Sequence, residues 1–167
     1  KSFLKKKLVS YGVKPILFED NSRPTTIKQR YLTENKTLLK VSYLHQNSIS
    51  KNIKRKIFLI IKKKIKKYNL IIFSDFNYGC LSKDLVENII NLSKKNKVFV
   101  TADCQSSSQI GKIEKYHNVD LVTPTEREIR ICLKNNEDGL VVISEKLRNY
   151  LKCKHIILKL GSEGIII

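Results

Sequence analysis

The chain contains no methionine, and its 167 residues open on Lys1. The expectation is therefore an internal piece of a longer protein. Acidic residues are scarce, 15 Asp and Glu against 33 Lys and Arg, which leaves a formal charge of +18. Four cysteines stand at 80, 104, 132 and 153, with no CxxC pair and only three scattered histidines. That spacing excludes the common zinc frameworks, and reduced thiols in a cytoplasmic protein are expected. No apolar run reaches membrane-spanning length and no secretory pattern is visible, so no membrane partner is expected. Neither GxxxxGK[ST] nor GxGxxG occurs, and no Ser-His-Asp arrangement points to nucleophilic catalysis.

What the chain does have is lysine, concentrated in KSFLKKK (1–7) and IKRKIFLIIKKKIKK (53–67). A basic excess suggests a polyanionic partner such as nucleic acid or a membrane surface. In the second stretch, however, lysines alternate with Ile53, Ile57, Phe58, Ile60, Ile61 and Ile65 at helical spacing. A solvated helix face explains such a pattern. No RNA-binding signature with interleaved aromatics appears, so nucleic acid ranks last among partners.

Phe3, Leu4 and Leu8 suggest a helix ending at Gly12. Residues 25–32 and 37–43 read as two strands around Glu34-Asn35-Lys36, a hairpin with thin apolar content, suited to a lid. From residue 48 onward an α/β core is expected. A helix is predicted through about residue 67. Short apolar strands then follow at 70–73, 98–102, 121–123 and 156–160. Helices are predicted at 82–95, with Ser82 as N-cap, and at 125–133 and 140–151. Apolar strands alternating with helices imply a doubly wound, mostly parallel sheet with helices on both faces.

In such sheets ligands bind beyond the carboxyl ends of the strands, and here those ends are polar. They carry Asp75 and Asn77, then Asp103, Cys104, Gln105 and Ser106–Ser108. Thr125-Glu126-Arg127-Glu128 follows, and then Gly161-Ser162-Glu163-Gly164. A phosphate-bearing ligand fits that rim. Each member has a plainer explanation. Asp75 and Asp103 could cap turns, Thr125 and Glu128 form a capping box, the serines could be plain loop, and GSEG could be a hairpin turn.

Taken together, SRPTTIKQRYL (22–32), TLLKVS (37–42), IIFSDFNYGCLS (71–82), VTADCQSSSQIG (100–111), DLVTPTEREIR (120–130) and IILKLGSEGIII (156–167) resemble the ribokinase-like (PfkB) carbohydrate kinases. The bacterial heptose-7-phosphate kinases are the branch most similar. The resemblance implies a partial kinase domain over 1–167, with the hairpin at about 25–43 as a β lid over the sugar and the α/β core at about 48–167. It implies transfer of the ATP γ-phosphate to a sugar or sugar phosphate with Mg²⁺.

The family's Asn-x-x-Glu segment falls on Thr125 to Glu128. Its nucleotide turn falls on Lys159, Gly161 and Gly164. The resemblance thus assigns Thr125, Glu126, Arg127, Glu128, Lys159, Gly161 and Gly164 to ATP, and Glu128 to magnesium through water. Asp75, Asn77, Asp103 and Gln105 fall on the substrate and phosphate side. Thr125 replaces the usual Asn, Lys159 a common Thr or Ser, and Cys104-Gln105 a common Pro-Lys. Asn77 and Tyr78 stand where many heptose kinases carry Lys. The family's Gly-Ala-Gly-Asp base segment would follow Ile167 and its Gly-Gly sugar segment would precede Lys1, so the quoted residues alone are expected to be inactive. A homodimer and a fused nucleotidyltransferase domain are compatible with the resemblance. A non-catalytic sugar- or nucleotide-binding relative and a basic nucleic-acid-binding protein are the alternatives.

Overall fold

A computed structural model describes residues 2–34, 36–45, 47–106 and 111–167. Asn35 of the expected hairpin tip, and Ser107 and Ser108 of the serine loop, lie outside the described residues.

The core is α/β. Four strands, β3 (Leu70–Asp75), β4 (Phe99–Cys104), β5 (Leu121–Val122) and β6 (His155–Ile156), form one parallel sheet in that spatial order. Between them run α3 (Lys83–Lys95), the 3-10 turn Ile113–Lys115, α4 (Glu126–Leu133) and α5 (Leu140–Leu151). Each strand pairs with the next in sequence, and parallel crossovers are almost always right-handed. All these connections therefore fall on one side of the sheet. Burial follows the pleat. Phe73, Asp75, Val100, Ala102, Cys104, Val122 and Ile156 are buried, whereas Leu70, Ile72 and Phe99 on the opposite face are exposed. α3, α4 and α5 thus lie on one face.

The strands extend beyond the apolar runs that announce them. β3 includes Ser74 and Asp75, and β4 includes Asp103 and Cys104, because ladder pairing carries polar residues that periodicity cannot see. The expected strand at 156–160 is divided. β6 ends at Ile156, and β7 (Leu158–Lys159) turns back on β8 (Ile165–Ile166) as an antiparallel pair. GSEG is indeed a hairpin turn, with Gly161 at φ 63° and Gly164 at φ 98°. Lys159 still bridges Thr125 in parallel fashion, which keeps β7 aligned with the sheet.

α1 (Ser2–Ser10) stops just before Gly12, whose φ is 74°. α2 (Lys51–Lys64) begins at Ser50, whose hydroxyl caps Ile53 N–H at 3.3 Å. It lays Ile53, Ile57, Phe58 and Ile61 against the core, while Lys62, Lys63 and Lys64 stay exposed. Ser82 precedes α3 but forms no side-chain cap. β1 (Ile27–Thr33) and β2 (Lys36–Tyr43) make the expected antiparallel hairpin, with a bulge at Tyr31 and Leu32. Lys28 lies over the rings of Phe76 and Tyr78, 5.7 and 5.2 Å from their centroids. Arg23, just before β1, donates to Tyr78 O at 2.6 Å.

α5 carries much of the core. Ile143, Leu147 and Leu151 recur at helical spacing and are fully buried. Leu147→Ala should lower unfolding free energy by about 2–5 kcal/mol, measured by urea denaturation. Val141→Ala, at an exposed position of the same helix, should change it by less than about 0.5 kcal/mol.

Candidate active site

The pleat divides the polar strand ends into two groups. Asp75 and Cys104 are Cα partners at the ends of β3 and β4 and point toward the helices. Asp103, one residue earlier, points to the open face. There its Oδ1 accepts from Thr123 Oγ1 at 3.1 Å and Lys159 Nζ at 2.6 Å. Asp75 and Asp103 thus share one edge of the sheet but lie on opposite sides of it.

On the helix side Asp75 is 3% exposed and forms an ion pair with Lys115. It also accepts from Tyr116 Oη at 2.8 Å and from Asn77 N–H at 2.9 Å. Burial and the neighbouring Asp75 carboxylate push the Tyr116 hydroxyl far above its ordinary range. Tyr116 therefore stays a neutral donor. Asn77 adopts φ 58°, and its amide donates to Gln105 O at 2.7 Å and Cys104 Sγ at 3.3 Å. Gln105 N–H in turn donates to Asp75 O at 2.9 Å. Asn77, Asp75 and the Gln105 backbone are thereby brought together. Lys115 and Tyr116, which complete the group, carry no motif. Their only sequence signal is a charged residue next to an aromatic one between two strands.

Between the two groups stands α4. Thr125 Oγ1 accepts from Glu128 N–H at 3.4 Å, and Glu128 Oε2 from Thr125 N–H at 2.8 Å, so the capping box forms as the sequence suggested. Glu128 has a further role: its Oε1 accepts from Ser106 N–H at 2.9 Å, which ties the loop after β4 to the helix. The N–H groups of Glu126 and Arg127 find no acceptor among the described residues, as expected for a first helical turn. Together with the helix dipole and the free proton of the Thr125 hydroxyl they favour an anion. The Glu126 side chain itself is engaged with Arg130 at 2.7 Å, and Arg127 is exposed. At Gly161 and Gly164 a Cβ would meet no atom within 4 Å, so the turn leaves open space for a ligand. These residues fit a nucleotide's phosphates.

For a magnesium ion the donor set allows a water-mediated role. Both Glu128 oxygens already accept one N–H each, leaving one lone pair apiece. Among the described residues no three His, Cys, Asp or Glu side chains gather as a direct metal cage.

The pfkB family carbohydrate kinase pattern matches residues 1–167, the whole chain. The chain belongs to this family. It is 28% identical over 169 residues to the bifunctional protein HldE of Nitratiruptor sp., covering 99% of this chain and 34% of that protein. It spans about a third of the length of the curated relatives it matches. Among solved structures, ribokinase from Giardia lamblia superposes with a TM-score of 0.72 at 14% identity, over 96% of this chain and 50% of that one. Arabidopsis thaliana ribokinase complexed with ribose and ATP superposes at 0.52 and 14% identity, over 79% and 41%. The fold is therefore ribokinase-like, and its membership of a carbohydrate kinase family agrees with the resemblance carried by the strand-end motifs.

Cys104 gives the site a pH signature. Burial pushes its thiol up to about 11. Unfolding exposes it to ionise near its ordinary value of 9.0. Between these values the unfolded state binds fewer protons, so stability falls as pH rises. Urea midpoints should drop between about pH 9 and 11, and the slope should be shallower in Cys104→Ala than in the native chain.

Proposed function

We propose that the protein carrying this chain is an ATP- and Mg²⁺-dependent kinase that phosphorylates a hydroxyl of a sugar phosphate of the heptose 7-phosphate type. The observation that carries this reading is the α4 N-terminus. A buried carboxylate fixes the helix start there. Two N–H groups without an acceptor among the described residues follow directly on Thr125, which supplies a hydroxyl and bridges Lys159 at the entrance to the Gly161–Gly164 turn. The HldE relatives support the heptose assignment, and the ribokinase complexed with ribose and ATP supports the nucleotide.

In this reading Thr125 donates its hydroxyl proton to a phosphate oxygen, and the Glu126 and Arg127 N–H groups bind the same chain of phosphates. Gly161 and Gly164 allow close backbone approach. Lys159, on the neighbouring strand, faces the same phosphates with its charge offset by Asp103. Glu128 orders water around the metal, whose charge offsets that of the transferred group. Asn77, between Phe76 and Tyr78 under Lys28 of the β1–β2 hairpin, and Gln105 serve the acceptor, with the hairpin acting as lid. Four of the rim carboxylates are engaged: Asp75 by Lys115, Asp103 by Lys159, Glu126 by Arg130 and Glu128 by two N–H groups. In this reading none of the four is the base for the sugar hydroxyl, a role the resemblance gives to the family's Gly-Ala-Gly-Asp segment. A fused second catalytic domain, as the bifunctional naming of HldE suggests, and a cytoplasmic location belong to the same proposal. No helix among the described residues is long and apolar enough to cross a membrane.

Glu128→Gln tests the metal role in the full-length protein. The amide offers one acceptor where the carboxylate offers two, so one N–H loses its partner and stability should fall by about 1–3 kcal/mol. Turnover with ATP and a sugar phosphate should fall about 10- to 100-fold, and half-saturating magnesium should rise. A variant equally destabilised but with native turnover and magnesium dependence would confine Glu128 to capping.

A further inference from the structure

No sequence motif singles out Lys115, yet it is one of the most constrained cations in the protein. Its side chain is 10% exposed and paired with Asp75, itself 3% exposed. Its remaining protons go to Leu81 O at 2.9 Å and Asn77 Oδ1 at 3.3 Å. The ammonium therefore joins the turn Ile113–Lys115 to the strand end of β3, to the loop after it and to the lead-in of α3.

Three observations separate this arrangement from ordinary stabilisation. First, a buried ion pair adds little net stability over an apolar replacement, because desolvation offsets the attraction. Second, what the pair holds is Asn77, a non-glycine residue in the left-handed region. Such conformations persist when the surroundings over-determine them. Third, the same amide is confined from the other side. A Cβ at Gly111 would stand 2.7 Å from Ser106 Oγ, 2.9 Å from Asn77 Nδ2 and 3.0 Å from Gln105 O. Gly111 N–H also donates to Ser106 Oγ at 3.0 Å. Asn77 is thus clamped between an ammonium and a glycine, and through Gln105 O it fixes the end of β4.

We infer that Lys115 is a positioning residue for the acceptor sugar, acting through Asn77 and the Gln105–Ser106 backbone, with Gly111 as the second jaw of the clamp. The inference rests on the kinase reading above. Lys115 itself has no proton left for a ligand.

The test is steady-state kinetics of the full-length protein with ATP and heptose 7-phosphate, on Lys115→Met, Gly111→Ala and the charge-neutral pair Lys115→Met/Asp75→Asn. Thermal melts are run alongside. Each folded variant should raise acceptor KM about tenfold or more while nucleotide KM stays within about threefold, since Glu128 keeps its bond to Thr125 N–H. The neutral pair should recover most of the melting temperature lost in Lys115→Met, without recovering acceptor KM. Should Lys115→Met not fold, Gly111→Ala, which leaves the ion pair intact, and the neutral pair carry the measurement. Native acceptor KM in the folded neutral pair, or in Gly111→Ala, would overturn the inference and leave the kinase reading standing. Absence of phosphoryl transfer by the unmodified protein to any sugar phosphate would overturn both.

Discussion

Side chains of successive strand residues point to opposite faces, and the parallel register of β3 and β4 fixes which residues share a face. Leu70 stands beside Phe99 and Asp75 beside Cys104, and everything at the site follows from that pairing. Asp75 and Cys104 turn inward, among helix residues and the buried Tyr116. Asp103 turns outward, toward Thr123 and Lys159. A slip of one residue would exchange the two groups and leave Asp75 without its counter-ion. The apolar residues of the inner face, packed under α3 and α5, hold the register in place.

Between the two faces α4 acts as the joint. The buried Glu128 accepts from its own helix start and from the loop after β4. A carboxylate can serve both because each oxygen is an acceptor. The capping box is therefore also a tertiary contact, and capping and ligand-binding roles do not compete for the residue. The loop that would carry the acceptor is attached by one bond to the helix that would carry the nucleotide.

The basic charge is distributed differently from the site. Lys62, Lys63 and Lys64 lie on the exposed face of α2, while two cations near the strand ends, Lys115 and Lys159, are each paired with an aspartate. The excess thus reads as a solvated helix surface.

The sequence by itself determined the α/β class, the order of elements, the hairpin, the start of α4 and the cluster of polar strand ends. All of these rest on short-range periodicity and capping chemistry, which act within a few residues. It could not show that the last strand is interrupted between β6 and β7, because an apolar run has the same pattern whether its ladder is continuous or broken. Nor could it show that α3, α4 and α5 share one face, which depends on strand order. Tertiary structure alone decided that Asp75 meets Lys115 and Tyr116, about 40 residues away, and that Asp103 meets Lys159. Pairing of buried charges is set by which groups lose water together, and that is a property of packing in space rather than of neighbours along the chain.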